Sequence, residues 1–180
     1  MNTQTLLSIV ADQREELLAN DYSELCPRPE ESQLDLKSNR AQVVIGVRRC
    51  GKSTLCEMFL KQKGIDFAYV NFDDDRMEDM KASDLDHLLE ALYMTYGEFK
   101  YLFLDEIQNI EGWPLFVNRL LRQKMHLFIT GSNSKLLSKE LSTHLTGRNN
   151  KVELYPFSYS EYCAMKNICL LYTSPSPRDS

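Results

Sequence analysis

Three observations predict an α/β fold with a parallel five-stranded sheet covered by helices on both faces. Short apolar runs of strand length recur along the chain, amphipathic segments of helical length fill most intervals between them, and glycines stand at segment ends. Strands alternating with helices imply right-handed crossovers, and therefore parallel pairing. The 180 residues are 43% hydrophobic and 26% charged, which suits one compact domain and is too short for two ordinary ones.

Residues 5–19 place Leu6, Val10 and Leu17 on one face with charges opposite, a first amphipathic helix. Cys26-Pro27-Arg28-Pro29 forbids regular helix and marks a linker, so residues 1–39 are a helix plus linker ahead of a core over 40–168. Residues 42–45 form a buried strand ending at Gly46. Residues 52–62 hold Leu55, Phe59 and Leu60 in helical register, and Gly64 stops them. A second strand covers 67–72, with the acidic turn Asp73-Asp74-Asp75 behind it. Ser83 or Asp84 caps a helix with a Leu85, Leu88, Leu89, Leu92, Tyr96 stripe, closed by Gly97. A third strand spans 101–104, and Gly112-Trp113-Pro114 opens the next helix with proline in its first turn. The fourth strand covers 126–130. Leu137, Leu141 and Leu145 then repeat every fourth residue up to Gly147, and a fifth strand spans 151–154. Ser158 to Glu161 reads as a capping box for a further helix.

Gly46-Val47-Arg48-Arg49-Cys50-Gly51-Lys52-Ser53 matches GxxxxGK[ST] between a predicted strand and a predicted helix, the context that a phosphate-binding loop requires. A match arises by chance in roughly one chain of this length in two hundred, and the flanking elements lower that further. The glycines let backbone amides turn toward phosphate, and the helix N-terminus favours its negative charge. Lys52 reaches the β and γ phosphates, Ser53 ligates Mg²⁺, and Thr54 assists at the α phosphate. Arg48 and Arg49 face either phosphates or a partner, or are solvated loop charges. Cys50 is either an inert packing residue or a thiol whose oxidation blocks the loop.

Tyr101-Leu102-Phe103-Leu104-Asp105-Glu106 puts two carboxylates at the carboxyl end of the third strand, where ligands sit in open α/β sheets. Asp105 is expected to hold a water on the magnesium, and Glu106 to orient or deprotonate the water attacking the γ phosphate. Two helices and a strand separate this pair from the phosphate loop, and no NKxD guanine-reading motif occurs, so ATP is favoured over GTP. Thr130-Gly131-Ser132-Asn133 ends the fourth strand, expected between the first and third. Thr130, Ser132 or Asn133 contacts the γ phosphate there, or the turn simply caps the next helix through Ser132 or Ser134. Arg148 either stabilises transition-state charge, in cis or across a subunit interface, or is a surface arginine. Asp73, Asp74 and Asp75 read as a solvated turn rather than metal ligands.

The five cysteines include no CxxC and the three histidines have no ligand-like spacing, which excludes disulfide and zinc frameworks. No run of about 18 apolar residues is present, and residues 1–20 lack a signal-peptide core; a cytoplasmic protein with no membrane partner is expected. The net charge of -5 leaves nucleic acid open as a partner but unsupported. Residues 169–180, CLLYTSPSPRDS, can be back-translated into a string that resembles a transposase end and sequencing adaptor. They are read as a non-native tail joined to a truncated gene.

In their order and spacing, VVIGVRRCGKSTL, YLFLDEIQNIEGW, LFITGSNSKLLS and LTGRNNKVELYPFSYSEY resemble the AAA-type ATPases of bacteria and archaea that carry a C-terminal DUF4143 domain. The resemblance covers about residues 41–162. It implies a P-loop NTPase three-layer sandwich of the additional-strand, catalytic-glutamate type, with strand order 5-1-4-3-2, ATP and Mg²⁺ as ligands, and Mg²⁺-dependent ATP hydrolysis. Lys52, Ser53, Asp105 and Glu106 correspond to the family's nucleotide and magnesium residues, and Arg148 falls in its GR motif. A C-terminal domain in the intact parent, a protein partner or further copies of the chain are the expected partners. A nucleotide-gated switch with little turnover is the alternative.

Overall fold

A computed structural model describes residues 1–22, 25, 28–132 and 134–156. Five strands, β1 (Ala41–Ile45), β2 (Ala68–Asn71), β3 (Tyr101–Asp105), β4 (His126–Gly131) and β5 (Asn149–Glu153), form one sheet in the order β2-β3-β4-β1-β5. All four pairings are parallel, with Gln42 opposite Phe128, Ala41 opposite Asn149 and Asn71 opposite Asp105. This is the α/β P-loop NTPase arrangement, and β4 does run between β1 and β3 as expected.

Strand alternation divides the core into two unequal halves. Val43, Ile45, Val70, Leu102, Leu104, Leu127 and Ile129 face α1 (Thr3–Ala19), α3 (Leu85–Tyr96), α4 (Trp113–Arg122) and α5 (Ser134–His144). Val44, Phe103, Phe128 and Val152 face α2 (Lys52–Gln62) and Leu34 of the linker. Phe59 packs on Phe128, and Tyr69 meets Phe103 edge to face at 5.1 Å between ring centres. Removing Phe103 would cost about 3–5 kcal/mol, as for other buried aromatics.

Helix α1 starts where the Asn2 side chain accepts the Thr5 N–H, and buries Leu6, Ile9, Val10, Gln13 and Leu17. Gln13 closes the β2 edge of the sheet. Its Nε2 donates to Asn71 O at 2.9 Å while its Oε1 accepts Asn71 N–H at 3.0 Å, so one side-chain amide stands in for a neighbouring strand.

Two local expectations need correction. Asp84 precedes α3, but its carboxylate does not cap that helix: it accepts from Lys81 N–H and the Met1 amine instead. A turn of 3₁₀ helix at Ala82–Asp84 occupies the capping position. The second strand is trimmed by one residue at each end to 68–71, and the fifth is displaced to 149–153, because pairing to β3 and β1 sets their ends. The capping box at 158–161 and the tail at 169–180 lie outside the described residues. No helix among the described residues is long and apolar enough to cross a membrane.

Candidate nucleotide-binding site

The loop between β1 and α2 opens at the carboxyl end of the sheet, where β1 has β4 on one side and β5 on the other. Chains leaving the sheet in opposite directions there create the crevice that binds ligands in open α/β folds. Gly46 is required by close approach, since a Cβ would lie 2.4 Å from Leu154 O and 2.6 Å from Cys50 Sγ. Arg49 (φ 65°) and Gly51 (φ 95°) are both left-handed, and Cys50 N–H donates back to Val47 O. Left-handed residues interleaved in a turn direct successive N–H groups inward, the geometry of an anion cradle. Helix α2 begins at Lys52, directly behind it.

Lys52 is almost wholly buried, with Nζ donating to Val47 O at 2.9 Å and lying 3.7 Å from Glu106 Oε1. Ser53 Oγ donates to Asp105 Oδ1 at 2.7 Å, which ties the loop to the acidic pair. Asp105 is 3% exposed and also accepts from Thr130 Oγ1 and, at 2.9 Å, from Tyr69 OH. Burial pushes its carboxyl above the usual carboxylate range, and the Thr130, Ser53 and Tyr69 hydroxyls pull it back. Glu106 adopts a left-handed backbone (φ 57°), held by its N–H donating to Thr130 Oγ1 at 2.9 Å. Its carboxylate accepts from Ser132 Oγ at 2.8 and 2.7 Å and from Gln108 Nε2 at 2.6 Å.

Oxygen ligands suit magnesium, which takes one or two side chains and completes its octahedron with water and phosphate. Ser53 Oγ would ligate such an ion directly, and Asp105, whose Oδ1 lies 2.7 Å from it, would accept a hydrogen bond from one of the ion's waters. The described residues hold no cluster of three or more His, Cys, Asp or Glu that could retain a metal without phosphate.

The structure thus brings Gly46, Val47, Cys50, Gly51, Lys52, Ser53, Thr54, Asp105, Glu106, Thr130 and Ser132 to one end of the sheet. Thr54 lies in the first turn of α2. Cys50 Sγ is buried under the loop, so its contribution there is backbone. Arg48 pairs with Asp73 at 3.2 Å on the exposed rim, and that bond raises the pKa of Arg48. Arg49 is exposed. Thr130 is wholly buried and hydrogen-bonded to Asp105 and to the Glu106 amide. Asn133 lies outside the described residues.

Arg148 stands apart from this cluster. It immediately precedes β5, whose first residue pairs with Ala41 at the start of β1, so it stands at the amino end of the sheet. A five-residue parallel strand, roughly 16 Å long, separates it from the phosphate loop. Its guanidinium donates to Asn118 Oδ1 at 3.0 Å. A contact with phosphate in the same chain is excluded.

Gln108, Tyr69 and Arg28 were not foreseen as site residues. Gln108 had a signal, two residues beyond Glu106, but only the 3₁₀ turn Ile107–Asn109 folds it back onto that carboxylate. Tyr69 and Arg28 reach the site from β2 and from the linker, and no local pattern marks either.

A family model described as an AAA domain matches residues 38–163. The chain belongs to the AAA domain family. The matched span takes in the phosphate loop and the acidic pair assembled at the carboxyl end of the sheet, so this AAA domain has a nucleotide-binding, ATPase-like core. An uncharacterized protein of Methanocaldococcus jannaschii is 41% identical over 136 residues, 75% of this chain and 31% of that protein. An uncharacterized protein of Haemophilus influenzae is 38% identical over 135 residues, 71% of this chain and 34% of that protein. The chain therefore spans about a third of the length of these curated relatives. A solved structure described as the structural basis for katanin self-assembly aligns with a TM-score of 0.40 and 16% identity, covering 80% of this chain and 50% of that one.

Proposed function

We propose that this AAA domain binds ATP with Mg²⁺ and hydrolyses it to ADP and phosphate. The observation that carries the reading is the 2.7 Å bond from Ser53 to Asp105, which couples a phosphate loop to an acidic pair with Glu106 close to Lys52. The amides of the Gly46–Ser53 loop and the Lys52 ammonium bind the phosphates, while Ser53 and, through water, Asp105 hold the magnesium. Held there, the ion would supply charge neutralisation for the β and γ phosphates. Glu106 accepts a proton from the attacking water as oxygen bonds to the γ phosphorus and the bond to the β-phosphate oxygen breaks.

The test is steady-state phosphate release from this chain and from Glu106→Gln. Turnover falls by about 10²- to 10⁴-fold in the variant with ATP affinity retained; equal turnover in the two overturns the assignment of Glu106. A specific observation also favours a nucleotide-gated switch with slow turnover. Ser132 and Gln108 donate to the Glu106 carboxylate and Lys52 lies 3.7 Å from it, so three groups compete with a water for its oxygens. Single-turnover kinetics separate the two readings: tight binding, lost in Lys52→Ala, with negligible hydrolysis selects the switch.

Arg148 can approach a phosphate only in a second copy of the chain, so its proposed role lies at an interface between copies. Doping Glu106→Gln chains with Arg148→Ala chains tests it, since rescue of turnover by mixing requires shared sites. We also propose that the output of the ATPase lies in a C-terminal domain or protein partner, and that residues 169–180 are not native. Sequencing the source DNA through the codon for Ile168 decides the latter.

A further inference from the structure

Arg28 lies in the linker between α1 and β1, outside the GxxxxGKS motif, yet its guanidinium sits against the phosphate loop. Nη1 donates to Cys50 O at 2.8 Å, Nη2 donates to Tyr155 O at 2.5 Å, and Nε lies 3.5 Å from Glu30 Oε1. The side chain is 12% exposed. A planar fork therefore spans two backbone carbonyls, one in the loop and one just beyond β5, with a carboxylate behind it.

The peptide plane gives this contact its consequence. In a trans peptide the carbonyl of one residue and the N–H of the next point in opposite directions. With Cys50 O drawn toward Arg28, the Gly51 N–H is turned away from the linker, and Gly51 holds the left-handed φ of 95° that lets the chain continue into α2. The same charge-assisted bond satisfies a carbonyl at the buried Cys50. We propose that Arg28 is a positioning residue for phosphate binding, fixing the Cys50–Gly51 peptide so that the Gly51 N–H serves the anion cradle. This rests on the ATP-binding reading above. A lysine cannot reproduce it, because one ammonium lacks the rigid fork that reaches both carbonyls.

The experiment uses the full chain with Arg28→Met, which keeps bulk without donors, and Arg28→Lys. Three quantities are read: the dissociation constant for Mg-ATP, thermal midpoints without nucleotide, and the exchange rate of the Cys50 amide, which donates to Val47 O in the folded loop. Arg28→Met weakens ATP binding about 10- to 100-fold and accelerates Cys50 exchange, while core amides of β3 and β4 exchange as before. Arg28→Lys recovers part of the affinity. Unchanged affinity and unchanged Cys50 exchange in Arg28→Met overturn the proposal. So does a loss accompanied by equally faster exchange in β3 and β4, or by a collapsed midpoint in both variants, since that marks a general structural staple. If the unaltered chain fails to bind Mg-ATP, the nucleotide reading falls, and the Cys50 exchange difference alone then decides whether Arg28 holds the loop.

Discussion

The two ends of the sheet are built from the same strands and do opposite things. At the carboxyl end, Lys52 and Asp105 are buried charges, and the backbone is left-handed at Arg49, Gly51 and Glu106. Hydrogen bonds from Ser53, Tyr69, Thr130, Ser132 and Gln108 hold the carboxylates. At the amino end, Tyr101 stacks on His126 with ring centres 4.6 Å apart, Tyr101 OH donates to Leu36 O, and His126 N–H donates to Lys100 O. A left-handed residue occurs there too, Lys124, yet it only turns the chain from α4 into β4. Positive φ alone does not mark a site. It does so where charge is buried beside it and each polar atom is braced.

Exchanging single groups at each end measures that difference. The largest expected effect is on chemistry: Glu106→Gln lowers turnover by about 10²- to 10⁴-fold, whereas His126→Leu at the amino end leaves it within about twofold of the parent, as for changes remote from a site. A large loss in His126→Leu, measured as phosphate release, would dissolve the distinction. Next is Thr130→Val, which keeps shape but removes both the donor to Asp105 and the acceptor of the Glu106 N–H. It costs about 1–3 kcal/mol for each buried group left unpaired, read by urea unfolding, and Thr130→Ser restores most of the loss. Smaller again is Tyr101→Leu. It gives up the stack on His126 and the bond to Leu36 O, worth about 1–2 kcal/mol together, and moves stability without moving ATP affinity.

This ordering also explains what was legible beforehand. The phosphate loop and the Asp105-Glu106 pair are local: a strand, a turn and a helix start are contiguous in sequence, and their chemistry is written in adjacent residues. The helices and strands follow from apolar spacing, and the strand order from the resemblance that the motifs carry. Arg148 was left open between a role in cis, one across a subunit interface and a surface arginine, because its motif has no direction until β5 is seen to run parallel to β1, which puts the residue at the far end. Tyr69, Gln13 and Arg28 were missed for the complementary reason. Each acts across 20 or more residues of chain, so only pairing of β2 with β3 or the path of the linker brings it into place. Thr130 was one of three polar candidates for a γ-phosphate contact because its position ends a strand; its complete burial is a property of the packed sheet.

The smallest effect lies on the rim of the carboxyl end and is a matter of pH. Asp74 follows β2 and is held well below the usual carboxylate range, chiefly by hydrogen bonding from the Arg76 side chain, with Gln13 and the Arg76 N–H adding to it and partial burial opposing. Arg76 Nη2 lies 2.7 Å from Asp74 Oδ2, and Gln13 Nε2 donates to the same oxygen at 3.1 Å. A depressed carboxyl contributes stability that is fully present above its unfolded pKa of about 4 and is lost as pH falls through and below that value. Asp74→Asn is therefore expected to cost less than about 1 kcal/mol at pH 7, where the pair is partly solvated. The gap between parent and variant melting temperatures should begin to narrow only as pH falls below about 4, with most of it still present at about pH 3, because the depressed carboxyl stays ionised in the folded state. Gln13 also braces Asn71 at the end of β2, next to Asp105 on β3. The convergence in acid therefore reports whether the rim supports the sheet through Gln13. A gap that stays constant in stronger acid, well below about pH 3, would show that Asp74 acts through its shape and not through its charge.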